Sequence, residues 1–223
     1  MSNLNASYWS AIERVFAYIK GTPTRGPTYT KGSNDFQGYT DSDWAGNIAD
    51  RKSTSGHIFL LQGAPISWRS KRQTSIALSN AEAEYIAASE AAKEALYLRL
   101  TLNTFFLMEK QIQTVILKED NESCILIGSN PELHQRTKHI DMRYHFLRDH
   151  IKKGDIALEW TPTTDQLANG LTKPLAAAAF NRFVRGIKLT NRLPDESSLN
   201  RSVRNQQPLT RHAANEGCVG GFY

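Results

Sequence analysis

The sequence predicts an α/β domain, and three observations carry that reading. Short β-prone runs joined by tight turns fill residues 36–78. An alanine-lined helical pattern then starts at Ser79. Beyond it, strand and helix patterns alternate to about residue 180. The chain has 223 residues, 40% hydrophobic and 22% charged, a balance that suits a packed core and excludes wholesale disorder. At roughly 150 residues per domain, this length allows one domain with extensions, or two small ones.

Taken in order, residues 1–30 read as a short helix and a turn. Trp9, Ile12, Val15, Phe16 and Ile19 recur at helical spacing, and Gly21-Thr22-Pro23 ends the pattern. Phe36 to Trp44 forms a first strand, followed by a polar loop from Gly46 to Ser55. His57 to Leu61 is a second strand and Gly63-Ala64-Pro65 a turn. Ile66 to Trp68 and Ser75 to Leu78 are further β-prone runs, separated by the basic Arg69, Lys71 and Arg72. These runs describe an antiparallel meander. Ser79 is a good N-cap, with Glu82 in the first turn, so a helix starts there and runs to about Met108. Glu84, Ala87, Ala88, Ala91, Ala95 and Leu98 share one face of it, and Glu84 is the one carboxylate among them. Thr114 to Lys118 is a short strand that runs into Glu119 and Asp120. Residues 122–129 and His134 to Lys152 read as helices, Asp155 to Trp160 as a last strand and Asp165 to Ala179 as a last helix. One strand pair is expected to be parallel. Beyond about Asn191 the chain is polar and expected to be disordered.

Composition narrows the function classes. No run of about 18 apolar residues is present, so no bilayer-spanning helix is expected. The N-terminus MSNLNASYWS has neither a basic nor an apolar leader region, so the expectation is an intracellular protein, cytoplasmic or nuclear, and not a secreted one. Two cysteines, Cys124 and Cys218, make no disulfide framework. His134, His139, His145 and His150 are spaced by five, six and five, not by the three or four that put ligands on one helix face, so no zinc site is expected. The net charge is +5, and residues 176–223 hold seven Lys/Arg against three Asp/Glu. A basic balance permits a polyanionic partner.

Three carboxylates sit at element boundaries: Asp41 near the end of the first strand, Glu84 in the first turn of the alanine-faced helix, and Asp120 at the end of the fourth strand. Each alone reads as an ordinary turn or cap residue. Brought together they make an all-oxygen site suited to Mg²⁺ or Mn²⁺. Two such ions, about 3.5–4 Å apart, can activate a water and stabilise the leaving oxygen of a phosphodiester.

The segments GYTDSDWAG (38–46), DRKSTSGHIF (50–59), ISWRSKRQ (66–73), ALSNAEAEYIA (77–87), EDNES (119–123), HQRTKHIDMRYHFLRD (134–149) and QLANGLTKPL (166–175) together resemble the ribonuclease H domain of copia-type LTR retrotransposon Pol polyproteins. The resemblance covers about residues 7 to 180. It implies a ribonuclease H-like fold, with a mixed five-stranded sheet flanked by helices, over residues 36–180. Residues 1–30 resemble the end of the reverse-transcriptase connection region, so the chain reads as a C-terminal fragment. Residues 181–190 are then the end of a basic helix, and 191–223 a tail.

The resemblance implies hydrolysis of the RNA strand of RNA–DNA hybrids, with two Mg²⁺ or Mn²⁺ ions held at four acidic positions. Asp41, Glu84 and Asp120 match three of them. Asp43, two residues on, is a weaker candidate. The fourth position carries Asn169 where the family has Asp, which loses the charge and the proton acceptor; Asp165, four residues earlier, is a possible compensation or a simple cap. Two outcomes stay open: a hybrid ribonuclease of reduced activity, or a decayed, non-catalytic fragment that folds and binds nucleic acid. The same fold in a DNA-strand-transfer enzyme is a further rival. Asn80 matches a position that touches the hybrid's minor groove, where the 2′-OH marks RNA, or else caps the helix. Arg136, Lys138, Arg143 and Arg148 are candidate phosphate contacts, and a solvated helix is their plain alternative. Trp44, Trp68 and Trp160 are expected in the core rather than as stacking platforms. The acid-free stretch 176–193 is expected to be a helix packed on the domain. The partners implied are an RNA–DNA hybrid and a polymerase domain supplied elsewhere, with no membrane.

Overall fold

The computed structural model describes residues 6–30, 36–46, 49–105, 111–129 and 141–191. Residues 25–190 form one compact unit, and residues 6–24 belong to a second. In the second, helix α1 (Ala6–Gly21) follows the expected periodicity. It closes where the Thr22 amide bonds the Ile19 carbonyl and the Thr22 hydroxyl bonds the Tyr18 carbonyl at 2.8 Å.

A short strand β1 (Arg25–Pro27) pairs with the last strand, β7 (Leu189–Asn191). The main sheet holds β2 (Phe36–Asp43), β3 (Thr54–Leu61), β4 (Ala64–Arg72), β5 (Val115–Glu119) and β6 (Ile156–Trp160), in the order β4-β3-β2-β5-β6. The first three are antiparallel; β5 runs parallel to both β2 and β6. Two pairs are therefore parallel where one was expected, because β5 sits between two strands that are each reached through helical crossovers. This is the mixed, helix-flanked sheet of a ribonuclease H-like fold.

The β3–β4 hairpin turns on Gln62-Gly63, with φ of 54° and 77°. Both positive values are what a tight two-residue turn needs to follow the strand twist. Ala64 and Pro65, expected in the turn, start β4 instead. Pro65 is tolerated because β4 is an edge strand, as are the charges of Arg69, Lys71 and Arg72. The expected strand over Ser75–Leu78 does not form. After Gln73 bonds the Ser53 carbonyl at 2.8 Å, the chain leaves the sheet to start helix α2 (Asn80–Phe105). There the Ser79 hydroxyl accepts the Glu82 amide at 3.2 Å, and the Glu82 carboxylate reaches back to the Leu78 amide at 2.9 Å. This reciprocal cap fixes the start of α2. Residues 106–108, its expected continuation, lie outside the described residues.

The alanine face of α2 is buried against β2, β3 and β5, with Phe36, Phe59, Val115 and Leu117 beneath it. Glu82, Ile86 and Ser89 on the opposite side are buried too: Ile86 lies beside Ser55 and His57 of β3 and Arg69 of β4, and α3 (Glu122–Ser129) and α4 (Asp141–Lys152) also pack on the helix. Gly38 permits the closest approach in this layer: a Cβ there would lie 2.5 Å from Phe59 and 2.6 Å from Leu117. Of the expected helix His134–Lys152, residues 134–140 lie outside the described residues, as does the tail from 192.

The expected helix Asp165–Ala179 is broken in two. Residues 163–165 turn, α5 spans only Asn169–Thr172, and α6 runs Ala177–Gly186. Pro174 explains the break: it disfavours helical geometry at Lys173, which is extended at φ −144° and ψ 153°. The stretch 176–193 thus holds a ten-residue helix and then β7. The tryptophans expected in the core lie at the surface: Trp44, Trp68 and Trp160 are 45%, 63% and 54% exposed. Each occupies a strand end, an edge strand or the turn beyond a strand, where the sheet gives no cover. Among the described residues no helix is long and apolar enough to cross a membrane.

Candidate active site

Three elements far apart in sequence converge at one end of the sheet. β2 contributes Asp41, the first turns of α2 contribute Glu84, and the exit of β5 contributes Asp120. Each offers a carboxylate oxygen, and these atoms all lie within 4.8 Å of one another. Asp41 and Glu84 are 2% and 3% exposed, and Asp120 is half-buried. Parallel pairing of β2 with β5 puts the two strand ends side by side, and the capped start of α2 sets Glu84 above them.

The electrostatics are those of crowded anions. Burial pushes the Glu84 carboxyl up to about 10, and the nearby Glu119, Asp41 and Asp120 reinforce the shift. Asp41 is also raised, chiefly by burial. The Thr172 hydroxyl, which donates to Asp41 Oδ2, and the Lys173 ammonium, 3.8 Å away, work against that shift. Glu84 Oε2 is buried with no hydrogen-bond partner. A cluster of buried carboxylate oxygens that crowd one another, one of them without a hydrogen-bond partner, fits a hard divalent ion.

Glu119 is a participant that the sequence reading passed over. It is fully buried, and burial holds its carboxyl well above the usual range. Its Oε1 accepts the Asn121 amide at 3.1 Å, and Asn121 Oδ1 in turn accepts the Cys124 amide at 3.0 Å at the start of α3. Glu119 thereby shapes the turn that presents Asp120. Strand parity was the available signal: Val115, Leu117 and Glu119 alternate inward.

Asn169 is buried at the start of α5. Its backbone carbonyl lies 3.4 Å from the Thr172 hydroxyl that bonds Asp41, so one side chain separates it from the cluster. Its amide Nδ2 donates to the Thr163 carbonyl at 3.0 Å, and its Oδ1 is buried without a partner. Gln166 was missed as well. Its Nε2 donates to the carbonyls of Thr40 on β2 at 3.0 Å and Lys118 on β5 at 3.1 Å, clamping this loop across the two strands that carry Asp41 and lead to Asp120. Asp165 does not occupy α5; it sits exposed in the preceding turn. Asp43 lies near enough to Asp41 to raise it.

The expected nucleic-acid contacts divide. Asn80 is exposed at the first position of α2, and the capping role belongs to Ser79. Arg148 is half-buried and donates to the Ile127 carbonyl at 3.1 Å, tying α4 to α3 instead of facing outward as expected. Arg136 and Lys138 lie outside the described residues, as does the side chain of Arg143.

Known proteins resemble the chain at the level of sequence. It is 36% identical over 181 residues to the retrovirus-related Pol polyprotein from transposon RE2 of Arabidopsis thaliana, an alignment covering 81% of this chain and 12% of that protein. It is 38% identical over 175 residues to the counterpart from transposon TNT 1-94 of Nicotiana tabacum, covering 78% and 13%. This chain belongs to the retrovirus-related Pol family. It represents a ribonuclease H-like domain and spans 12–13% of the length of those Pol relatives. A shorter stretch of 93 residues is 47% identical to the secreted RxLR effector protein 161 of Plasmopara viticola, covering 41% of this chain and 66% of that protein. No protein-family model matches. Solved structures that resemble the chain include RNase H1 from Halobacterium salinarum NRC-1, at 14% identity and a TM-score of 0.43, covering 61% of this chain and 93% of that one. LC11-RNase H1 in complex with an RNA/DNA hybrid resembles it at 14% identity and a TM-score of 0.44, covering 62% and 94%.

Proposed function

We propose that this Pol-family domain hydrolyses the RNA strand of RNA–DNA hybrids, as in copia-type reverse transcription. The observation that carries the reading is the meeting of Asp41, Glu84 and Asp120, whose carboxylate oxygens lie within 4.8 Å of one another. These residues would hold two Mg²⁺ or Mn²⁺ ions, with Asn169 as an uncharged fourth position. When bound, such ions lower the pKa of the attacking water and stabilise the leaving oxygen. In the reaction a water oxygen bonds to phosphorus and the bond to the 3′-oxygen breaks, leaving a 3′-hydroxyl and a 5′-phosphate. Thr172 orients Asp41 through its hydroxyl, and Lys173 adds positive charge beside it. Glu119 and Gln166 hold Asp120 and the α5 loop in place. Asn80, exposed at the start of α2, has the donor and acceptor needed to read a 2′-OH. The partners are the hybrid itself and a polymerase elsewhere in the Pol polyprotein.

Cleavage of a labelled hybrid by the purified chain in Mg²⁺ and in Mn²⁺ tests this, with Asp41→Asn as the control. Cleavage lost in the control supports the enzyme. One observation favours a second reading: Asn169 carries no charge. A folded chain that binds hybrid and cuts it in neither metal is then a decayed, non-catalytic retroelement fragment.

A further inference from the structure

We propose that Trp44 is a specificity-determining platform, laid against the ribose faces of a wide, shallow minor groove and selecting a hybrid over a DNA duplex. The assignment rests on the hybrid reading above. Trp44 follows Asp41 by three residues, in the turn that leaves β2. That turn is closed by the Gly46 amide on the Asp43 carbonyl at 3.4 Å. Ala45, at φ 50°, has its amide held by the Ser53 hydroxyl at 3.1 Å. The Trp44 indole N–H donates to the Ala77 carbonyl at 3.1 Å, which fixes the ring against the segment leading into α2. The ring stays 45% exposed. Ala77 is flanked by Ile76 and Leu78, which are 54% and 70% exposed. Leu78 is itself anchored through its backbone to Glu82.

A fixed, water-exposed apolar patch therefore bridges the strand that carries Asp41 and the helix start that carries Asn80 and Glu84. Its polar atom is already satisfied, so what it offers a partner is a flat apolar surface. The bases of a paired substrate are stacked out of reach. An A-like helix instead turns a wide, shallow minor groove outward, lined by sugars and 2′-hydroxyls. Trp44 and Leu78 fit the sugars of that groove while Asn80 meets a hydroxyl. The minor groove of B-DNA, about 6 Å wide, does not admit an indole lying flat.

The test measures equilibrium binding of fluorescent hybrid and of DNA duplex of the same sequence at fixed salt, using the chain carrying Asp41→Asn so that nothing is cut. Adding Trp44→Ala is expected to weaken hybrid binding by about tenfold and leave DNA binding unchanged, in line with the worth of one aromatic contact. Trp44→Phe, which keeps a ring and loses the bond to Ala77, is expected to stay within about threefold. Leu78→Ser, at a site bonded through its backbone, is expected to lower the hybrid-to-DNA ratio by about threefold without unfolding the chain. Equal losses for both duplexes, a Phe variant as weak as the Ala variant, or a ratio untouched by Leu78→Ser would each overturn the assignment. A parent chain that binds hybrid no better than DNA overturns the hybrid reading and Trp44 with it. A hybrid preference that survives Trp44→Ala overturns Trp44 alone.

Discussion

Asn169→Asp adds the charge that the proposed fourth ion-binding position lacks, and the structure sets its cost. The Asn169 Nδ2 donates to the Thr163 carbonyl at 3.0 Å, in a side chain that is 8% exposed. A carboxylate cannot donate, so the substitution loses that bond and turns oxygen toward oxygen. It also places a further negative charge near Asp41, which is already raised by burial and by its acidic neighbours. Losing a buried hydrogen bond costs about 1–3 kcal/mol. For a chain of this size each kcal/mol is about 2–4 °C, so the variant should melt about 2–12 °C lower in chelator. Divalent ions should reverse this, because the new carboxylate strengthens their binding: an ion at 100 times its Kd returns about 2.7 kcal/mol. The assay is thermal unfolding of both chains in chelator and across a Mg²⁺ or Mn²⁺ titration, with hybrid cleavage in parallel. The expected result is a variant that is weaker without ions, stabilised more by them, and faster in cleavage by about tenfold, which needs only about 1.4 kcal/mol at the barrier. Equal melting in chelator together with equal stabilisation by ions would refute both the hydrogen-bond account of Asn169 and its place beside the cluster.

The remaining expectations use the same site and the core beneath it. Glu84, raised to about 10 when folded, holds a proton that the unfolded chain releases near pH 4.3. Its contribution is full below the unfolded value and is lost as pH rises toward the folded one, so stability in chelator should fall from about pH 4.3 to about pH 10, by at most about 1.4 kcal/mol per unit. Glu84→Gln should flatten that slope, and thermal melts in which the parent is as flat as the variant would contradict it. Gln166→Leu strips a donor from the Thr40 and Lys118 carbonyls; chemical unfolding should show a loss of about 2–4 kcal/mol and calorimetry a weaker divalent-ion affinity. Gly38→Ala pushes a methyl into Phe59 and Leu117 and should cost about 1–3 kcal/mol in urea unfolding without changing the ion affinity. Thr172→Val removes the hydroxyl that bonds Asp41; ion affinity should fall severalfold by calorimetry, and losing this buried bond should lower the melting temperature in chelator by about 2–12 °C.

The parts of this molecule legible from sequence are those marked by local chemistry. Ser79 and Glu82 announce the start of α2 because an N-cap and its acid are neighbours in the chain, and Glu84 follows from helical geometry. Asp41 and Asp120 were visible as acids ending β-prone runs. The misreadings came where burial or tertiary position decides. Trp44, Trp68 and Trp160 are apolar enough for a core, yet they lie where the sheet ends. Ser75–Leu78 has the composition of a strand, but the chain needs that length to climb from the edge strand to the top of α2. Asp165–Ala179 has a helical pattern that Pro174 interrupts.

The site's supports were hidden for a different reason. Thr172 bonds Asp41 across 131 positions, and Gln166 reaches the Thr40 carbonyl across 126. No local pattern encodes such contacts, and they bear on the unusual residue of the site. The loop that carries Asn169 is clamped by Gln166 to β2 and β5, and by Asn169 itself to Thr163. In the proposed site the amide is thus both the uncharged fourth position and a brace for the loop that puts it there. Charge and brace cannot both be had from one side chain, so a gain in ion binding at position 169 must come with a looser loop, unless position 163 or its neighbours supply a donor in place of the amide.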